Sequence, residues 1–176
     1  RYWRDWSSDV CSSDLMADAN KKILILDLDL RKPAVHKQFG ISNNLGVVDI
    51  LMNKDDYKDY IHNVSINLDI ITAGKLPTNP SEIINSRAIK ELIKELSKNY
   101  DYILFDTPPI ALVSDPITIS TYSDAVILTI AYAETEKEIA RKSISSLKHV
   151  NANIIGTILN KVPVNKNNKY YYYNYN

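Results

Sequence analysis

Short apolar runs alternate along the chain with longer segments in which apolar residues recur every three or four positions. Five runs are nearly continuous in apolar residues, which is typical of strands buried on both faces of a parallel sheet. These runs cover residues 23–27, 68–72, 102–106, 125–131 and 154–160. We therefore expect an α/β domain with a doubly wound, mostly parallel sheet, whose ligand site lies at the carboxyl ends of the strands.

The helical pattern is clearest over residues 81–99 and 135–150, where apolar residues recur at spacings of three and four. Thr135 and Glu138 have the spacing of a capping box, which predicts the start of the second helix. Shorter helices are expected over residues 46–52, 57–62 and 116–122. Helices that alternate with strands in this way fit right-handed crossovers between parallel strands.

The first fifteen residues differ in composition from the rest of the chain. They contain both tryptophans, the only cysteine and two of the five arginines, whereas the chain from Met16 onward has 16 lysines and three arginines. The segment RDWSSDVCSSDL resembles the conceptual translation of a sequencing adapter. We expect residues 1–15 to be non-native and the natural chain to begin further upstream, so we exclude this segment from the fold prediction.

Composition and charge narrow the possible functions. Lys+Arg and Asp+Glu are balanced at 21 each, which gives no sign of a surface for nucleic acid. The apolar runs are far shorter than the ~20 residues that span a bilayer. The single cysteine, Cys11, excludes an internal disulfide. These features indicate a cytoplasmic domain that does not bind nucleic acid.

Acidic residues stand at the ends of two predicted strands. ILILDLDLRKP places Asp27 and Asp29 two residues apart, so they point the same way in an extended segment, and YDYILFDTPP ends a later strand at Asp106. At ~4 Å and an effective dielectric near 20, each like-charge pair would cost about 4 kcal/mol, which a divalent cation offsets. The pattern predicts Mg²⁺ with nucleotide phosphates, although one Asp alone could equally be a loop or capping residue.

These motifs have counterparts in a known family. ILDLDLRKP resembles the Walker A′ motif, and ILFDTPP the Walker B motif, of the bacterial tyrosine kinases that govern capsule and exopolysaccharide synthesis. ITAGKLPTNPSEIINS and GTILNKV are similar to a loop with its following helix and to a late strand of that family. The resemblance runs from about Lys21 to the C-terminus. It implies a P-loop NTPase fold of the deviant-Walker type, like MinD and ParA, with residues 16–163 as a partial nucleotide-binding kinase domain.

The C-terminal segment carries a cluster of phenol side chains. A polar linker, VNKNNK, precedes Tyr170, Tyr171, Tyr172, Tyr173 and Tyr175, which are five of the chain's twelve tyrosines. A linker of this composition lacks apolar periodicity, so we expect residues 164–176 to form a flexible tail. The tail could pack on a partner or on the domain itself. The resemblance implies instead a phosphoacceptor cluster, to which each phosphate would add roughly −1.5 to −2 charge.

The resemblance also implies roles for individual residues around ATP and Mg²⁺. Asp27 would accept the proton of the attacking tyrosine, while Asp29 and Asp106 would hold Mg²⁺, and the three could exchange these roles. Arg31 is expected at the nucleotide site, where it would steady the acidic pair or face a neighbouring subunit. Asn160, at a strand end, would contact the adenine or ribose, or simply form a turn.

The phosphate-binding loop G-x-x-x-x-G-K-[ST] has no match in the chain. The four glycines are at positions 40, 46, 74 and 156, and none precedes Asp27. We therefore expect a domain that lacks its first strand and this loop, and that has no kinase activity as written. Two alternatives stay open: a MinD/ParA-like ATPase, or a non-enzymatic adaptor that acts through its tyrosine tail.

The resemblance further implies partners and a location. Kinases of this family form ring-like homo-oligomers that phosphorylate the tyrosine cluster in trans. They respond to a membrane modulator, or chain-length protein, which places them at the inner face of the plasma membrane through a partner or a fused membrane domain. The sequence does not distinguish a stand-alone kinase from a fused one, and it does not identify the polysaccharide.

Overall fold

A computed structural model of the chain describes residues 20–163. The predicted non-native segment 1–15 and the tyrosine-cluster tail 164–176 lie outside these residues. The strands are β1 (Ile23–Asp27), β2 (His62–Ser65), β3 (Leu68–Ile71), β4 (Tyr102–Asp106), β5 (Val126–Ala131) and β6 (Ile154–Asn160). The helices are α1 (Val35–Phe39), α2 (Val47–Asn53), α3 (Pro80–Asn85), α4 (Arg87–Leu96), α5 (Asp115–Ser120) and α6 (Lys137–His149), with a 3₁₀ turn at Tyr57–Tyr60.

Four strands form the main sheet in the order β2-β3-β1-β4. β1 is parallel to both β3 and β4, while β2 pairs antiparallel with β3 at the edge. Every residue of β1 and β3 is buried, which confirms the interpretation of these continuous apolar runs. β2 was not predicted, because its sequence HNVS is mostly polar and three of its four residues are exposed.

β5 and β6 form a second, parallel two-stranded sheet. Their apolar runs predicted burial on both faces, and that expectation is wrong for them and also for β4, where Tyr102 is exposed and the other four residues are half-buried. Burial alternates along β5 and β6, with Ile127 54% and Ile155 62% exposed. Among the described residues each of these strands pairs only with the other, so fewer neighbours cover its side chains than cover β1.

The long helix predicted over residues 81–99 is two helices. Ser86 has an extended backbone (φ −68°, ψ 157°), ends α3 and begins α4, where its hydroxyl accepts a hydrogen bond from the Ile89 N–H at 3.2 Å. The apolar spacing continues through the break, so periodicity alone could not reveal it. The capping box is also wrong: Thr135 Oγ1 accepts from the Ala131 N–H, and α6 begins two residues later.

The larger apolar core lies between the main sheet and helices α2 and α4. It includes Leu24 and Leu26 from β1 together with Ile89, Leu92 and Leu96 from α4. The three α4 residues are spaced three and four apart, so they form one apolar stripe that faces the sheet. Within residues 20–163, no helix is both long enough and apolar enough to cross a membrane.

Candidate functional site

Asp27 and Asp106 lie side by side at the carboxyl edge of the main sheet. They are the last residues of β1 and β4 and are partners in the parallel register, so their side chains share one face. Neighbouring strands are ~4.8 Å apart, which sets the scale of their separation. The Leu28 N–H donates to the Asp106 carbonyl at 2.8 Å and continues the ladder past the two acids. The structure therefore brings together two acidic residues that lie 79 positions apart in sequence.

Asp29 joins this pair through a tight turn. Its N–H donates to Asp27 Oδ1 at 3.1 Å, and its own Oδ1 accepts from the N–H groups of Arg31 (3.2 Å) and Lys32 (3.0 Å). Asp27 is 0% exposed and Asp29 1% exposed. The local hydrogen bonds therefore hold two buried carboxylates at the start of the loop that follows β1.

The donor set at this edge fits a magnesium ion. Carboxylate oxygens are the ligands that Mg²⁺ prefers, and Mg²⁺ is usually held by one or two carboxylates while water and phosphate oxygens fill the other positions. Among residues 20–163 there is no cluster of three or more His, Cys, Asp or Glu placed to hold a metal. Asp27, Asp29 and Asp106 therefore do not form such a three-residue cluster.

The Arg31 side chain reaches Asp115 and Ser81 and not the turn of Asp27 and Asp29, while its expected position facing a neighbouring subunit stays a prediction. Its Nε donates to Asp115 Oδ2 at 2.7 Å, and its Nη2 donates to Ser81 Oγ at 2.9 Å. Ser81 Oγ in turn donates to Asp115 Oδ1 at 2.7 Å. The loop after β1 is thus tied to the first turns of α3 and α5.

Sequence reasoning missed Asp115 and Ser81. An acid just before Pro116 and a serine in the sequence NPSE both look like ordinary residues at a helix start, where Asp and Ser are common. The distinguishing feature is burial, since the Asp115 side chain is only 3% exposed. A buried carboxylate needs a partner, but the sequence does not show that this partner is an arginine 84 positions earlier.

Electrostatics support the same pairing. Burial alone would raise the pKa of the Asp115 carboxyl, but hydrogen bonds from Arg31 and Ser81 and the charge of Arg31 together hold this pKa below its ordinary value. The hydrogen bond to Asp115 raises the pKa of Arg31, and the charges of Asp115 and then Asp29 act in the same direction. Asp29 therefore lies within the electrostatic range of the guanidinium.

Asn160 ends β6 in the second sheet, opposite Ala131 in the register. Its side-chain oxygen accepts from the Lys161 N–H at 2.7 Å, and Lys161 has a positive φ of 59°. Its carbonyl accepts from the Tyr132 N–H at 2.8 Å. These contacts match the turn-forming alternative for Asn160, and its predicted contact with adenine or ribose stays a prediction.

A close crossing of two glycines fixes the loop that follows β3. A Cβ on Gly46 would lie 2.1 Å from the Thr72 carbonyl oxygen and 2.4 Å from the Gly74 nitrogen. Asn43 accepts from the Gly74 N–H and donates to the Gly74 carbonyl, both at 3.0 Å. Two hydrogen bonds and a close backbone contact therefore hold Gly74 at the start of the loop that leads to Ser81.

The predicted phosphoacceptors Tyr170, Tyr171, Tyr172, Tyr173 and Tyr175 are outside the described residues. A groove of about 650 Å³ lies between α2 and α4, and its lining includes Lys54, Tyr57 and Glu91 but none of the predicted site residues. The groove therefore does not coincide with the candidate site at the carboxyl edge of the main sheet.

Comparison with known proteins places this geometry in context. Residues 7–162 match the model of a family described as an AAA domain. The tyrosine-protein kinase YwqD of Bacillus subtilis is 36% identical over 160 residues, which cover 90% of this chain and 68% of that kinase.

Solved structures of similar proteins superpose on this chain. The chimerical protein CapA2B2 superposes with a TM-score of 0.80 at 36% identity, over 84% of this chain and 66% of the other. The kinase domain of the Escherichia coli tyrosine kinase ETK gives a TM-score of 0.79 at 30% identity, over 84% of this chain and 58% of the other. The chain thus spans about two thirds or less of these relatives.

Proposed function

This chain belongs to the AAA domain family and to the bacterial tyrosine-protein kinases, and we propose that it is the ATP-binding part of a protein-tyrosine kinase. The fold class, the doubly wound and mostly parallel α/β sheet of the P-loop NTPases, is the one that its relatives share. The observation that carries the proposal is the register pairing of Asp27 with Asp106 at the carboxyl edge of the main sheet.

Each acidic residue has a proposed role at this edge. Asp29 and Asp106 would hold Mg²⁺, which neutralises the charge that develops on the transferred phosphate. Asp27 would accept the proton of the attacking tyrosine, whose hydroxyl has a pKa near 10 in water. The buried turn of Asp27 and Asp29 supports a role for both residues in the site, because hydrogen bonds from the backbone orient both carboxylates before any ligand arrives.

The acceptor in this proposal is the tyrosine cluster of a neighbouring copy. Tyr170, Tyr171, Tyr172, Tyr173 and Tyr175 would be phosphorylated in trans within a ring-like homo-oligomer, and Asn160 would contact the nucleoside. The kinase would act at the inner face of the plasma membrane, where a membrane modulator, or chain-length protein, engages it. Phosphorylation of the tail would regulate capsular or exopolysaccharide synthesis.

We further propose that the 176-residue chain does not transfer phosphate by itself. The four glycines of the sequence supply no G-x-x-x-x-G-K-[ST] loop, so no set of backbone N–H groups cradles the β- and γ-phosphates. A radiolabel-transfer assay with ATP and Mg²⁺ should give no labelled tyrosine. Incorporation of label by the purified chain alone would contradict this part of the proposal.

The metal site can be tested without catalysis by measuring Mn²⁺ binding with electron paramagnetic resonance. We expect the chain to bind Mn²⁺ at this edge of the sheet, and Asp106→Asn to abolish that binding. Asp101→Asn is the matched control, because Asp101 lies just before the amino end of β4, at the opposite edge of the sheet. Equal losses in the two variants would overturn the assignment.

The acceptor role can be tested with an active relative. We expect a family member such as YwqD to phosphorylate this chain on its tail, and mass spectrometry to locate the phosphates. Tyr132 is the internal control, since it is 47% exposed but lies outside the cluster. Phosphate on Tyr132 and none on the tail would count against the proposal.

A further inference from the structure

We propose that Asp115, together with Ser81, is a positioning residue that holds the Arg31 guanidinium away from Asp27 and Asp29, so that the guanidinium does not compete with a divalent cation for their oxygens. This inference rests on the proposed function, since it assigns Asp115 a role in the same cation site. It concerns a residue that lies on α5 and not on the strands that carry the acids.

Asp115 has the geometry of a residue built to hold an arginine. Both of its carboxylate oxygens are engaged: Oδ2 accepts from Arg31 Nε at 2.7 Å, and Oδ1 accepts from Ser81 Oγ at 2.7 Å and from Arg31 Nη2 at 3.4 Å. The Asp115 side chain is 3% exposed, whereas the Arg31 side chain is 37% exposed. The buried member is therefore fixed, and the longer, partly exposed member is the one that could move.

Arg31 is tied to the acidic turn at its backbone and to Asp115 at its side chain. Its N–H donates to Asp29 Oδ1 at 3.2 Å, so its Cα lies beside the acidic pair. Its guanidinium instead reaches α3 and α5, where Ser81 accepts from Nη2 at 2.9 Å. The side chain thus passes by the nearest acids and pairs with a more distant one.

Release of the guanidinium would change the charge at the cation site. An arginine with a free side chain is attracted to the closest carboxylates, and a charge-assisted pair with Asp29 or Asp27 would form at their oxygens. The same oxygens are the donors that a magnesium ion requires. A released Arg31 and the metal would therefore compete for one site, and Asp115 prevents this competition by giving the guanidinium another partner.

The test is to measure Mn²⁺ binding by the full chain and by its variants with electron paramagnetic resonance. We expect Asp115→Ala to weaken Mn²⁺ binding by about tenfold or more, because a charge-assisted pair of Arg31 with Asp29 must first be broken. Adding Arg31→Gln to that variant should return the affinity to within about threefold of the wild type, since the competitor has been removed. A merely structural role predicts no such rescue.

Two milder variants keep the inference testable if Asp115→Ala does not fold, which circular dichroism would reveal. Asp115→Asn preserves the shape of the Asp115 side chain, and Ser81→Ala leaves the charge of Asp115 in place. Each variant should weaken Mn²⁺ binding, but by less than Asp115→Ala does. An affinity unchanged in every folded single variant overturns the inference. So does a double variant that binds Mn²⁺ no better than Asp115→Ala.

A crystal structure of a folded Asp115 variant separates this inference from the proposed function. A guanidinium within about 4 Å of Asp27 or Asp29 supports the positioning role, since this is the range of a close ion pair. A guanidinium that stays beside residue 115 overturns it. A wild-type chain that binds no Mn²⁺ overturns the proposed function, and the position of Arg31 in this crystal structure then decides the positioning role independently.

Discussion

Strands β1 and β3 are buried at every residue, whereas β5 and β6 alternate between half-buried and exposed residues, although all four have similar apolar sequences. β1 pairs with β3 and β4, and β3 pairs with β1 and β2, so both have strand partners on two edges. In the described part of the chain, β5 and β6 pair only with each other. Apolar content therefore shows what a strand can bury, and in this chain the strands that pair on two edges are the ones that are fully buried.

The two sheets should differ most in the unfolding free energy that is lost when a glycine is replaced. Gly46→Ala places a Cβ 2.1 Å from the Thr72 carbonyl oxygen beside the main sheet, whereas a Cβ on Gly156 in β6 meets nothing within 4 Å. We expect Gly46→Ala to cost more than ~4 kcal/mol of unfolding free energy, and Gly156→Ala to change it by no more than about 0.5–1 kcal/mol. Urea unfolding measures both. Similar losses would mean that the two sheets are equally constrained.

Core leucines give the next largest contrast. Leu26 in β1 is 0% exposed and Leu159 in β6 is 53% exposed. Leu26→Ala should cost ~2–5 kcal/mol, because it removes a buried side chain and leaves a cavity. Leu159→Ala should cost less than about 1 kcal/mol, since half of that side chain is already in water. A larger loss at Leu159 would show that the second sheet has partners not seen in residues 20–163.

A buried tyrosine tests whether hydrogen bonds of side chains also contribute more to stability at the main sheet than at the second sheet. The Tyr100 hydroxyl donates to Asp69 Oδ2 at 2.7 Å, and Asn63 donates to the other oxygen of Asp69 in β3. Tyr100→Phe removes a hydrogen bond to a charged group and should cost ~1.5–3 kcal/mol. Tyr132→Phe, beside the second sheet and 47% exposed, should change stability by less than about 0.5 kcal/mol. Thermal unfolding followed by circular dichroism distinguishes these outcomes.

The smallest expected effect is a dependence on pH. The pKa of Asp115 is lower in the folded chain than its ordinary value of 3.8, so its stabilising effect is present above that value and is lost as pH falls through the folded pKa. The difference in unfolding free energy between wild type and Asp115→Asn should therefore shrink as pH is lowered below 3.8. Ile127→Thr, which alters no titratable group, is the control whose difference from wild type should not change with pH.

Sequence reasoning predicted the parts of the fold that depend on local pattern. The five apolar strands, the acidic residues at the ends of β1 and β4, and the tyrosine kinase family all follow from runs and motifs that can be read in order. The polar edge strand β2 and the break at Ser86 do not, because one depends on pairing with β3 and the other interrupts a helix without interrupting its apolar spacing.

In the candidate site, too, only the part that depends on local pattern could be predicted from the sequence. A register pairing of Asp27 with Asp106 follows from two parallel strands that end in Asp. The contact of Arg31 with Asp115 does not follow, because it depends on how α5 packs against the loop after β1. Side chains that meet across tertiary packing leave no periodic signal in the sequence, and burial is what identifies them.

Ser86 limits how the length of this chain can vary. Because one residue both closes α3 and opens α4, there is no connecting loop to absorb an insertion. Each residue added within α4 would rotate everything after it by about 100° and turn Leu92 and Leu96 away from the sheet. Insertions can therefore be accommodated in the turn between α4 and β4 but not at the junction of α3 and α4. At this junction the number of residues is as constrained as their identity.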